Sequence, residues 1–329
     1  MFGHLPEYEA IFSIRGEPEF NDLALEIFHY QYHHTEVYGR FCRALGRKPG
    51  EIRHYSDIPF LPVEFFRTER VIARGREVRQ VFYSSGTGTG LRSMHHLADP
   101  ALYEMSFSKG FRLFYGDPQD CIILALLPSY MEQQHSSLVY MTGSLIRQTG
   151  HPASGFYHHD PGALAGIIRE YATSPRKLLL IGVSYALLDF VAEHRFSIPG
   201  LIVMETGGMK GRHKEITREE LHGMLCAGFG VEAVHSEYGM TELLSQAYSK
   251  GHGLFHSPPW MKVMIRDRDD PLSWVKERES GGISIVDLAN LHSCSFIATQ
   301  DLGRLREDGF EVLGRFDHSD ARGCNLMLP

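Results

Sequence analysis

Seven consecutive hydroxyl or glycine residues, Ser84-Ser85-Gly86-Thr87-Gly88-Thr89-Gly90, directly follow the apolar, β-prone run Val81-Phe82-Tyr83 and precede Leu91-Arg92. The pattern predicts a strand running into a loop. Glycines let the backbone turn its N–H groups onto one concave face and the hydroxyls add donors, so such a loop wraps polyphosphate oxygens with no bulky side chain in the way. The alternative is an ordinary Gly/Ser/Thr turn. A Walker loop is excluded because GxxxxGK[ST] is absent. No GxGxxG opens a helix after a strand either, so neither a P-loop NTPase nor a Rossmann NAD site is indicated.

Composition narrows the partners. At 329 residues and 43% hydrophobic, the chain has material for one large core, or a large domain with a small appendage. Thirty-three basic against 40 acidic residues give a net charge of −7 with no basic cluster, which argues against a nucleic-acid footprint. The five cysteines (Cys42, Cys121, Cys226, Cys294, Cys324) are scattered without a CxxC, so neither a disulfide framework nor a structural zinc site is indicated. The 19 histidines include the adjacent pairs His33-His34, His95-His96 and His158-His159, and adjacent residues do not share a helix face. Most histidines therefore read as surface or core residues without a ligand role. The N-terminus lacks a basic n-region and an apolar h-region, and no run approaches the roughly 18 apolar residues of a membrane span, so a cytoplasmic location is expected.

Along the chain, Leu23, Ile27, Tyr30 and His34 fall at spacings of three and four, and Asn21-Asp22 offers an N-cap, so residues 1–45 read as helical. A second helix stops at Leu45-Gly46. Residues 58–66 read as an extended apolar connector between prolines. Helices are predicted at 103–114, 136–148, 162–171, 184–194 (Ser184 capping) and 217–227; strands at 121–127, 177–181, 201–204 and 232–235. Strands alternating with helices mean a parallel α/β sheet, whose ligands sit beyond the carboxyl ends of the strands. Pro128-Ser129, Glu205-Thr206-Gly207-Gly208 and Glu237-Tyr238-Gly239 each follow such an end. From about Ser257, alternating segments and a Gly281-Gly282 turn argue for antiparallel strands closing the domain.

Further residues point to a family. His235-Ser236-Glu237-Tyr238-Gly239-Met240-Thr241-Glu242, Thr299-Gln300-Asp301-Leu302-Gly303 and Gly314-Arg315-Phe316-Asp317 stand, with the glycine loop, in the order of four motifs of the adenylate-forming (acyl-AMP ligase) superfamily. Within it the chain resembles the LuxE-type acyl-protein synthetases, a likeness supported by Ile58-Pro59-Phe60-Leu61-Pro62-Val63-Glu64-Phe65-Phe66 and Arg322-Gly323-Cys324. The resemblance implies an α/β adenylate-forming large-domain fold over residues 1–317, with parallel sheets and a C-terminal antiparallel β portion. It implies ATP and Mg²⁺ as cofactors, and ATP-dependent activation of a carboxylic, fatty, acid. Ser84, Ser85, Gly86, Thr87, Gly88, Thr89 and Gly90 would cradle the triphosphate; Leu91 and Arg92 replace the proline and lysine usual in the family loop. Gly207 and Gly208 would admit adenine to the backbone, Tyr238 with Gly239 would lie against the ring, and Thr241 would contact phosphate. Glu242 would hold Mg²⁺, as a hard carboxylate ligand does. Asp301 would accept from both ribose hydroxyls, and its Thr-Gln-Asp departs by one residue from the usual Thr-Gly-Asp. Arg315 would reach ribose or α-phosphate, Asp317 would be the hinge, and His135 is a candidate for the carboxylate site beside its reading as a structural histidine.

Acyl-CoA ligases continue past this hinge into a C-terminal lid with a catalytic lysine; here the lid is expected to be absent or vestigial. A short mobile tail, 318–329, instead carries Cys324, which the resemblance makes the acyl acceptor. An acyl reductase partner would then take the thioester. A phenylacetate-type acyl-CoA ligase and a non-catalytic nucleotide- or acyl-binding subunit stand as alternatives.

Overall fold

A computed structural model describes residues 5–85, 91–128, 132–207, 216–276 and 278–316. The chain divides into two compact units, Met1–Gly75 with Pro259–Pro329, and Arg76–Pro258. The first unit opens with helices α1 (Tyr8–Phe12), α2 (Glu17–His34) and α3 (Glu36–Ala44), then the short strand β1 (Leu61–Pro62) and the single turn α4 (Phe65–Thr68). The second unit runs β2 (Gln80–Tyr83), β3 (Met94–Leu97), α5 (Pro100–Tyr115), β4 (Cys121–Leu126), α6 (Ser137–Thr149), β5 (Gly155–Phe156) and α7 (Pro161–Glu170). It continues with β6 (Lys177–Val183), α8 (Ser184–Glu193), β7 (Ile202–Thr206), α9 (Arg218–Phe229), β8 (His235–Tyr238), β9 (Ala247–Ser249) and β10 (Leu254–His256). The first unit closes with β11 (Met261–Arg266), β12 (Ser280–Asp287), β13 (Phe296–Arg306) and β14 (Gly309–Arg315).

In the second unit the strands lie in the order β5-β4-β6-β7-β8, all parallel, and β9 and β10 continue antiparallel from β8. Every residue of β4 is buried, because successive side chains of an inner strand enter opposite helical layers. Ile122, Leu124, Leu178, Leu180 and Val203 pack with residues of α7, α8 and α9. The alternate set Ile123, Leu179, Ile181 and Met204 lines a small apolar cavity with Phe111 of α5 and Met141 and Leu145 of α6. Side chains cap the starts of α5, α6, α7 and α9: Asp99, Ser136 and Asp160 each accept a first-turn N–H, and Thr217 forms a capping box with Glu220. Gly150 and Gly230, at φ 60° and 67°, end α6 and α9 in the left-handed conformation.

Several boundaries differ from the sequence expectation. Helix α2 begins at Glu17, and the side chain of Asn21 instead accepts from Tyr55 N–H (2.9 Å), tying the helix to a later loop. Ser184 is the first residue of α8 rather than its cap; its hydroxyl donates to Glu205 (3.2 Å). The strand expected at 232–235 starts only at His235, because Gly230 turns the chain and residues 231–234 form a loop.

In the first unit β11, β12, β13 and β14 form an antiparallel series, and β1 pairs parallel with β13. Gly281 and Gly282 are not a turn; they lie within β12, opposite Arg266. A Cβ on Gly281 would come within 2.1 Å of the Arg266 carbonyl oxygen, and one on Gly282 within 2.5 Å of its guanidinium carbon. Between the pairs Gly282–Leu302 and Ser284–Ala298 only Ile283 faces Thr299, Gln300 and Asp301, so β13 bulges there. The bulge leaves carbonyls without ladder partners. Arg266 supplies donors to Ile283 O (2.6 Å) and Thr299 O, and Thr299 Oγ1 donates to Ile283 O (2.9 Å). Because main chain cannot yield as a side-chain tip does, Gly281→Ala is expected to destabilise the protein by about 2–3 kcal/mol. Urea unfolding at fixed pH checks this; an unchanged midpoint would contradict it.

Candidate functional site

The glycine loop is the connection of a hairpin. Tyr83 pairs with Met94 across β2 and β3, Ser84 N–H donates to Ser93 O (3.1 Å), and Ser93 N–H donates to Ser84 Oγ (3.0 Å). Ser84 thus closes the hairpin with its side chain, while Ser85, Leu91 and Arg92 are exposed at the loop mouth. Gly86 to Gly90 lie outside the described residues. His135 flanks the base of this loop: its carbonyl accepts from Tyr83 N–H (2.9 Å), its ring meets Tyr83 edge-on at 5.1 Å, and Nδ1 lies 3.3 Å from Val81 O. The structure therefore brings His135 to the strand that feeds the loop.

His95, on the returning strand, links the hairpin to the Tyr238–Glu242 segment. Its Nδ1 sits 2.8 Å from the carbonyl of Thr241, and since a carbonyl only accepts, this nitrogen carries the proton. Tyr238 ends β8, is buried, and meets Phe255 edge-on at 5.9 Å. Gly239 follows at a position where a Cβ would lie 2.4 Å from Glu237 Oε1. Glu242, 4% exposed, stands in the turn after Thr241 and not at a helix start. Gly207 directly follows β7; Gly208 is outside the described residues.

Two carboxylates sit on the adjacent strands that carry these loops, and their environments push them apart. Glu205, 5% exposed, accepts from Ser184 Oγ and lies 3.7 Å from His222 Nε2, an ion-pair rather than a hydrogen-bond separation. Burial alone would raise its pKa, but the polar groups of His222 and Ser236 and the charge of Arg218 outweigh it and hold the carboxyl below its usual value. Among the described residues no such partner lowers Glu237. Part of the residue still meets solvent, yet its carboxyl is packed against Gly239, and burial, with the charge of Glu205 second, raises its pKa to about 8. Glu237 is therefore protonated near neutrality beside an ionised Glu205. His235, lowered to about 4 by burial and then by Lys250, is neutral there.

In the first unit Asp301 and Arg315 face each other across β13 and β14, with Arg315 Nε donating to Asp301 Oδ1 at 3.0 Å. The Asp301 side chain is 10% exposed and that of Arg315 63%. Arg315 thus holds one carboxylate oxygen from the solvent side. The neighbouring Gln300 donates to Glu64 Oε1 (2.6 Å), accepts from Arg67 (3.4 Å) and offers its carbonyl to Phe316 N–H (2.9 Å). Phe316 in turn lies over the Arg266 guanidinium, 5.6 Å from the ring centroid. Asp317 and Cys324 lie outside the described residues.

No protein-family model matches the chain, and no curated protein matches it. Solved structures do. An open conformation of 2-hydroxyisobutyryl-CoA ligase, in complex with 2-HIB-AMP and CoA, superposes with a TM-score of 0.65 at 12% identity over 92% of this chain and 70% of that one. ATP-bound MatB from Rhodopseudomonas palustris superposes with a TM-score of 0.56 at 17% identity over 74% of this chain. The fold is that of the adenylate-forming enzymes. The chain spans about half of MatB, 49% of its length, and identities this low establish the adenylate-forming fold alone.

The sequence reading places Glu205 and Glu237 in candidate site loops and Gln300 in a motif but gives them, and His95, no role of their own. A charged residue closing the apolar run Ile202-Val203-Met204 is a signal for the role of Glu205, and strand alternation places His95 inward; the roles of Glu237 and Gln300 depend on tertiary neighbours that no local pattern marks. Glu237 yields a pH dependence. Its pKa is raised in the folded state, so the stability it contributes is complete below about 4.5 and is lost as pH rises through about 8. His235 acts oppositely, but between about 4 and 6.5, so above pH 6.5 the Glu237 contribution stands clear of it. Wild-type stability is expected to fall between pH 6.5 and 8.5, by at most about 1.4 kcal/mol per pH unit, and Glu237→Gln to flatten that fall. Urea midpoints at pH 6.5, 7.5 and 8.5 decide it; identical slopes for both proteins would contradict the assignment.

Proposed function

We propose that this protein is an ATP-dependent carboxylate-activating enzyme that forms an acyl adenylate and passes the acyl group to Cys324 as a thioester. The reading is carried by one observation: in an adenylate-forming fold, Gly207 and Tyr238–Glu242 follow the carboxyl ends of adjacent parallel strands, where α/β sheets bind ligands. The glycine loop from Ser84 to Gly90 and the cation of Arg92 take the phosphate oxygens. Gly207 and Gly208 pass the adenine, Tyr238 lies against it, and Thr241 contacts phosphate. Asp301 accepts from the ribose hydroxyls and Arg315 neutralises charge nearby. The buried Glu242 is a hard oxygen donor suited to Mg²⁺, which when bound neutralises charge on the phosphates.

In the first step a carboxylate oxygen of the acid bonds to the α-phosphorus and the bond to pyrophosphate breaks, its electron pair leaving with pyrophosphate. Oriented donors stabilise the charge on the phosphoryl oxygens. The role of a carboxylate-site residue for His135 is part of this proposal, and its contact with Tyr83 at the loop base supports it. In the second step the Cys324 thiolate, its proton released to solvent, bonds to the acyl carbon, and AMP departs with the electron pair of the mixed anhydride. The acid is a fatty acid and the acceptor of the thioester an acyl reductase, both on the strength of the sequence resemblance. Transfer to coenzyme A is the second reading, favoured by the structural likeness to 2-hydroxyisobutyryl-CoA ligase.

Acid-dependent exchange of labelled pyrophosphate into ATP is expected with a fatty acid, together with hydroxylamine-sensitive acyl labelling of the protein. Cys324→Ser is expected to abolish the labelling while exchange continues within about threefold. No exchange with any acid of a broad panel would sink the adenylation reading. Labelling that persists in Cys324→Ser would remove Cys324, and AMP release that requires coenzyme A would favour the second reading.

A further inference from the structure

The bulge at Thr299, Gln300 and Asp301 poses a physical problem. On the β12 side these residues share the single partner Ile283, and on the β14 side the register slips between Leu302 and Gly303. Asp301 keeps its register partner Arg315 on the β14 side but has none of its own on the β12 side, so the ladder holds it from one edge only. Successive side chains of a strand face opposite ways, so Gln300 looks away from Asp301, toward the segment that follows β1. That segment is itself anchored on β13: Leu61 and Pro62 pair with Ile297 and Ala298, and Val63 N–H donates to Ala298 O (3.0 Å). From this anchor Glu64 accepts the Gln300 amide at 2.6 Å and Arg67 reaches its carbonyl oxygen at 3.4 Å. The main-chain carbonyl of Gln300 holds Phe316 N–H, next to Arg315, which pairs with Asp301.

We infer that Gln300 is a positioning residue for Asp301: clamped by Glu64 and Arg67, it holds the bulge in the one arrangement that presents the Asp301 carboxylate to a ribose. The inference rests on the proposed reading of Asp301 as the nucleotide's ribose ligand. Glycine, usual here in the resembled motif, has no side chain with which to make this clamp. Glutamine lets the chain keep an irregular strand at a ligand position without losing its geometry, since bulges beside sites serve to re-aim a side chain. The bond to Glu64 is charge-assisted, the stronger class of hydrogen bond, and it joins segments 236 residues apart in sequence.

The test is a carboxylate–amide swap read out on ribose recognition. Gln300→Glu sets two carboxylates against each other, whereas Glu64→Gln with Gln300→Glu exchanges amide and carboxylate and keeps one bond between them. Calorimetry gives the ratio of dissociation constants for 2′-deoxy-ATP and ATP, a readout that general loosening of the fold would not selectively move. In the wild type this ratio is expected to be about tenfold or more, as for loss of a hydrogen bond to a charged group. Gln300→Glu is expected to collapse it toward one, and the double variant to restore it to within about twofold. Gln300→Ala, the milder lesion, is expected to fall between and serves if Gln300→Glu fails to fold. Wild-type discrimination retained in Gln300→Glu or Gln300→Ala, or not restored in the double variant, overturns the clamp. A wild type that binds neither nucleotide, or both equally, overturns the reading of Asp301 beneath it.

Discussion

A sheet whose inner strands are apolar on both faces exists only between two layers of helix, and that constraint organises the second unit. Ile122 and Leu124 of β4 enter the core shared with α7, α8 and α9, while Ile123 enters the layer of α5 and α6. Parallel strands covered in this way are joined by helical crossovers, so the loops that remain available for chemistry are those at the carboxyl ends. Gly207 and the Tyr238–Glu242 segment stand at such ends, on the adjacent strands β7 and β8. The hairpin of β2 and β3 brings the glycine loop in from outside this sheet, and one buried histidine, His95, joins it to the Thr241 carbonyl.

Polar groups that the core does tolerate are held in pairs of opposite tendency. Glu205 is kept ionised by His222, Ser236 and Arg218, and its charge adds to the burial that keeps the neighbouring Glu237 protonated. Of this pair, the negative charge is thus carried by Glu205 on β7. In the first unit the irregularity of β13 is compensated by side chains: Arg266 and Thr299 satisfy the carbonyls that the bulge leaves, and Gln300 ties it to Glu64.

Much of this was legible in the residues. Wholly apolar runs such as 121–126 announce inner strands, and capping residues such as Thr217 with Glu220 announce helix starts, because both signals are local. Failures came where tertiary contacts decide. The strand expected at 232–235 begins only at its last residue, because the left-handed Gly230 spends those before it on a loop, and Gly281-Gly282 resembles a turn although its small size serves the passage of Arg266. The strands β9 and β10 are three residues each, too short for periodicity to mark. Motif order exposed Asp301 and Arg315, which the fold does pair, while the Gln300–Glu64 bond spans too much sequence for any local signal.

The central claim is that these residues bind ATP through Asp301. Calorimetric titration of Mg·ATP into the wild-type protein and Asp301→Ala, with melting curves to confirm that both are folded, tests it most directly. The account predicts one equivalent of ATP bound by the wild type and an affinity at least about tenfold lower in the variant. Equal binding by the two proteins, or no binding by the folded wild type, would contradict it.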